Sequence, residues 1–178
     1  MKIQEICDVY ANTPEVKALG KLLQDPSVQT IGMQGLAASA SSVLFSALSE
    51  VLQQMVLFVL NDAEEAGYFY YDLTQMLGNE RVFFFPSSYR RQVKYAQRDA
   101  ANEILRTEVL SKLSTYKGGL LYVVSSPEAL SEQVVSRKHL DERTLTLSVG
   151  AAHDLVKLTQ QLRQIGFHEV DYVYEPGQ

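Results

Sequence analysis

The segment Thr30 to Ser42, TIGMQGLAASASS, has the layout of a phosphate-binding loop. A working loop places GxxxxGK[ST] between a strand and a helix, so that backbone N–H groups surround the phosphates and the lysine reaches the terminal ones. Gly35 fills the first position and Ser42 the last. Ala40 replaces the second glycine, and its Cβ narrows the backbone's choices; Ser41 replaces the lysine and carries no charge. By spacing alone an ordinary strand-to-helix turn would look the same; read as a phosphate loop, it keeps the spacing while the phosphate chemistry is gone, so this degenerate loop is expected to bind no nucleotide, and no cofactor is expected.

A second constellation is basic. In YRRQVKYAQR, a helix would bring Arg90, Arg91, Lys94 and Arg98 within about 100° of arc. Four cations with Tyr89 and Tyr95 beside them could hold nucleic-acid phosphates and stack on bases. The competing reading is a solvated or protein-contacting face opposite Val93, Ala96, Ala100 and Ile104, and the chain's net charge of -5 favours it. His139, His153 and His168 are too widely spaced to build a metal face. The single cysteine, Cys7, has no neighbouring base in the sequence and reads as a packed apolar residue. Asp62 could imitate a magnesium-binding strand end but is more simply a helix cap, and Ser125 and Ser126 read as the cap of a helix starting near Pro127.

The elements that must carry these residues alternate. Gln29–Met33, Val56–Leu60, Val82–Phe85 and Leu120–Val124 are short apolar runs that read as strands; the last three lack alternation, as strands covered on both faces do. Val43, Leu44, Ala47, Leu48, Val51 and Leu52 form one helical stripe directly after the loop. Pro14–Gln24 reads as an amphipathic helix, Asp62 with Glu65 as a capping box, Gly78 as a helix stop, and Ser88–Leu113 as one long helix. The expected class is α/β, a parallel sheet flanked by helices, over residues 1–136. Residues 137–178 read as the first part of a small α+β domain, with strands near 144–148 and 170–174, a helix over Leu155 to Ile165, and an interruption at Gln178.

The chain has 178 residues, 46% of them apolar, enough for a packed core. One cysteine excludes an internal disulfide framework and suits a reducing, cytoplasmic address. The longest apolar runs, about five residues, fall far short of a membrane span. Of the aromatics crowded at 68–71, Tyr68 or Tyr71 is expected to stay exposed, since a helix cannot turn four consecutive residues inward.

From about Val28 onward the text resembles the N-terminal module of bacterial transcription-repair coupling factors, a domain related to the excision-repair protein UvrB. The pieces that carry the resemblance are GLAASASS, VLFVLNDAEEAGYFYYDL, VVSSPEAL and LRQIGFHEVDYVYEPG. In UvrB the loop is intact and serves a helicase-type ATPase, whereas this chain matches the version stripped of catalytic motifs. UvrB also inserts a DNA-engaging hairpin after the strand corresponding to Val82–Phe85; here Phe85–Pro86 is expected to pass almost directly into a helix. The resemblance implies a non-catalytic interaction module, from DNA repair, that recruits UvrA to stalled RNA polymerase and helps restrain a parent ATP-dependent DNA translocase. It implies contacts with other domains of that parent, and with RNA polymerase and DNA only through parts outside these residues. Partner contacts would fall near Phe167, His168, Glu169, Asp171 and Tyr172, where relatives often carry Arg in place of His168 or Glu169. The alternative is a helicase-like nucleic-acid-binding fragment using the basic residues 90–98.

Overall fold

A computed structural model describes residues 3–89 and 98–174. Contacts divide the chain into two units, Met1–Gln133 and Val134–Gln178.

The first unit is α/β. β1 (Met55–Val59), β2 (Val82–Phe85) and β3 (Leu121–Ser125) form a three-stranded parallel sheet in the order β1-β3-β2. Met55 lies beside Leu121, and Val82 beside Tyr122. Helices α1 (Ile3–Ala11), α2 (Pro14–Gln24), α3 (Ala40–Ala47) and α4 (Ala63–Leu77) precede or separate the first two strands. A 3-10 turn, Leu48–Glu50, follows α3, while α5 (Ala100–Thr115) and α6 (Pro127–Ser131) flank β3.

β2 and β3 each supply two cores, whereas β1, expected to be covered on both faces, packs only through Val56 and Phe58 and leaves Met55, Leu57 and Val59 exposed. Phe58, Val82, Tyr122 and Val124 pack with Leu44, Leu48, Phe69 and Leu73 on one face; Phe83, Phe85, Leu121 and Val123 pack with Val109 and Ala129 on the other. Tyr122 is fully buried and its hydroxyl donates to Phe45 O at 2.8 Å. Burial pushes that phenol's pKa upward, because the anion would be desolvated. Tyr122→Phe, which removes the donor to the Phe45 carbonyl, is expected to cost about 1 kcal/mol in urea unfolding. No measurable change would mean that this bond adds nothing net.

Local signals place the helices. Asp62 accepts from the N–H groups of Glu64 and Glu65, while Glu65 reaches back to Asn61 N and Nδ2. The reciprocal bond of the capping box thus lands one residue earlier than expected. Gly78 ends α4 at φ 78°, a left-handed turn that favours glycine. Tyr68 and Tyr71 both face outward, at 67% and 60% exposure.

Several expectations fail in this unit. Gln29–Met33 forms no strand: the segment is unpaired chain, because composition favours extension but only a neighbouring ladder makes a strand. The helix expected from Ser88 begins at Ala100, because Asp99 caps it by accepting from the N–H groups of Ala101 and Asn102. Upstream, residues 86–89 are not helical, Tyr89 and Arg98 form an antiparallel bridge, and the stretch between them lies outside the described residues. Ile104, assigned to the inner face, is 49% exposed; Arg106 and Val109 are the buried positions of α5.

In the second unit, α7 (Arg137–Glu142) is capped by Ser136, and α8 (Leu155–Gln164) by Asp154. No strand forms at 144–148 or 170–174, for the same lack of a paired ladder. None of its described residues is buried. No described helix is long and apolar enough to cross a membrane.

Candidate functional site

The loop reaches α3 through two left-handed residues, Gly35 at φ 83° and Ala38 at φ 48°. For alanine this region is costly. Ala40 is the first helical residue, and Ser39, at the cap, makes no side-chain cap bond. Ser41 is half-buried. Ser42 is 1% exposed and its hydroxyl donates to Asp72 Oδ2 at 3.3 Å. The hydroxyl that a working loop would offer to a metal ion is committed to α4.

The other proposed residues do not converge on this loop. Arg90, Arg91 and Lys94 lie outside the described residues. Arg98 pairs with Glu103 at 3.0 Å, and the carboxylate beside it raises the guanidinium pKa further. In the second unit, Phe167, His168, Glu169, Asp171 and Tyr172 are all exposed, and Glu169 pairs with Arg163.

Sequence reasoning missed the most heavily bonded polar cluster described, which sits at the C-terminal ends of β2 and β3. Arg106 is 6% exposed, and its Nη1 donates to Pro86 O at 2.8 Å and Ala129 O at 3.0 Å. Its guanidinium lies 4.1 Å from the Phe85 ring centroid, a cation–π contact, and 3.4 Å from Glu132 Oε2. Glu132 also accepts from Ser87 Oγ and Ser88 Oγ, both at 2.5 Å, and from Ser88 N–H. Asn102 Nδ2 donates to Ser87 O, and Asp99 N–H to Ser88 O, so α5, α6 and the end of β2 are tied together. Ser125 Oγ donates to Phe85 O at 2.8 Å. Ser126 occupies the cap position of α6 without the expected capping bond; its Oγ and Arg106 Nη2 are buried without a partner among the described residues. The available signal was an arginine three places before Val109, on a helix face that should be apolar.

Burial alone would raise the Glu132 pKa, but the hydrogen bonds from Ser87 and Ser88 and the Arg106 charge outweigh it and leave it lowered. A lowered folded pKa means that the cluster's stabilisation is complete above the ordinary glutamate value of 4.5 and fades as pH falls through the folded value. Urea midpoints measured on going from neutral pH into this acid range should therefore fall more steeply for the native chain than for Glu132→Gln. Parallel curves would remove Glu132 as a source of acid sensitivity.

Cys7 is buried on α1, with Sγ 3.4 Å from Ser46 Oγ and 3.7 Å from Met76 Sδ. No set of three metal-ligating side chains gathers among the described residues. No protein-family model matches the chain, and no curated protein matches it.

Proposed function

We propose that the chain is a non-catalytic interaction module of the transcription-repair coupling type, which recruits UvrA to stalled RNA polymerase and contributes to restraint of a parent translocase. The observation that carries the non-catalytic part is Ser42: its hydroxyl is buried against Asp72, in a loop that offers neither a lysine nor a second glycine. The parallel sheet flanked by helices is compatible with a degenerate P-loop domain. The repair assignment rests on the text from GLAASASS to YVYEPG. In the second unit, the exposed Phe167 and Tyr172 supply apolar contact area suited to a protein partner.

Calorimetric titration with MgATP is expected to show no binding; micromolar affinity abolished by Ser41→Glu would overturn the non-catalytic reading. For the partner, a chain continued through a complete second domain is expected to capture purified UvrA, and these 178 residues to do so weakly or not at all. Failure of the longer chain to capture it sinks the repair assignment.

A further inference from the structure

Of the sheet's two outer strands, β1 and β2, β1 is the one with an exposed apolar row, and one strand-like segment is unpaired. Leu121 N–H donates to Gln54 O, and Leu60 N–H donates to Ser125 O. The even-numbered residues of β1 therefore turn their amides toward β3. By the alternation of a strand, the N–H and C=O groups of Met55, Leu57 and Val59 face outward, with no strand beside them among the described residues. Their side chains form an apolar row, 46%, 51% and 51% exposed, that α5 and α6 leave uncovered. Sheet edges are ordinarily blunted by lysine, proline or a bulge, and MVLFV has none of these.

The unpaired segment is Gln29–Met33. No backbone hydrogen bond joins residues 29–36 to another described residue. In the observed position Ile31, Met33 and Leu36 roof a cavity of about 500 Å³ whose floor is Val16, Leu19 and Leu22 of α2.

The two orphans match in place and direction. Gln24 Nε2 donates to Val51 O at 2.9 Å, so the chain leaves α2 beside the approach to β1. A strand at 29–33, then α3, then β1 is a βαβ connection, which runs parallel and right-handed within one sheet. Residues 34–39, which span up to about 20 Å when extended, form the link between such a strand and α3. With Ile31 beside Leu57, Gln29, Ile31 and Met33 share the face of the exposed row, and Leu57 exchanges hydrogen bonds with Thr30 O and Gly32 N–H.

We propose that Gln29–Met33 has a second position, as a fourth strand parallel to β1. The move closes the β1 edge and uncovers the apolar floor on α2, so the segment is a cover for that face of α2 with its own parking place on the sheet. This device stands independently of the UvrA assignment.

Amide exchange on the whole chain, followed by NMR, tests it. The N–H groups of Leu57, Val59 and Gly32 are expected to exchange roughly tenfold or more slowly than open chain. Gly32→Pro removes one donor of the new ladder and should release Leu57 and Val59, while the Tyr122 and Val124 amides stay protected. Gly32→Ala should keep the protection. Open-chain exchange at Leu57 and Val59 in the native protein overturns the proposal, as does protection that survives Gly32→Pro, since something else would then cover the edge. If Gly32→Pro does not fold, methyl–methyl Overhauser contacts between Ile31 and Leu57 in the native chain decide, and their absence overturns the proposal.

Discussion

Arg106→Met is expected to lower the stability of the first unit by about 3–5 kcal/mol, the range for removing one partner of a buried ion pair. Methionine keeps much of the apolar stem but leaves the Glu132 carboxylate without its cation and the carbonyls of Pro86 and Ala129 without their donor. The desolvation of these three acceptors then goes uncompensated. Glu132 retains Ser87 and Ser88, and its side chain is 14% exposed, so the loss should sit toward the lower end of that range. Urea unfolding followed by circular dichroism measures it. Arg106→Met with Glu132→Gln should be less damaged than the sum of the two single changes, because the charge that made the first change costly has been removed. A single-mutant loss below about 1 kcal/mol would show that the pair contributes no more than surface pairs do.

Phe58→Ala is expected to be comparably severe, about 3–5 kcal/mol. Phe58 is the meeting point of three rings, with centroids 4.7 Å from Phe45, 4.9 Å from Phe69 and 5.1 Å from Tyr122. Two of these are edge-on, an arrangement that adds to the area term. Truncation would open a cavity where α3, α4 and β3 converge, and packed interiors close such gaps only in part. Phe58→Leu, which keeps most of the volume, should cost less than half as much. Equal losses in the two variants would mean that ring geometry, and not filled space, sets the stability there.

How much of this was legible depends on the range of the interaction. The strands at 55–59, 82–85 and 121–125 fall within one residue of the apolar runs that announced them; burial on both faces demands unbroken apolar text in β2 and β3, while β1 is just as apolar but bares one face. Asp62 and Gly78 were legible because caps act within a few residues. Gln29–Met33 was misread because its side chains permit a strand without supplying the neighbour that makes one. The start of α5 was misplaced because the residues after Ser88 permit a helix, and Asp99 was not recognised as its cap. Arg106 and Glu132 went unseen as a pair because each looks like an ordinary surface charge until α5 and α6 are laid against the ends of β2 and β3.

The strand order also has a consequence for the timing of folding. β1 and β2 do not pair with each other; every rung of the sheet is made by β3, which joins Met55 to Leu121 and Val82 to Tyr122. None of the rungs joining β1, β2 and β3 can therefore close until the chain has been made as far as Ser125. During synthesis, two strands with apolar side chains on both faces must wait beside their helices for a partner that arrives last. Contacts this distant in sequence make for slow closure, and a pause before residue 121 would prolong the interval in which VLFV and VFFF lie open to misassociation.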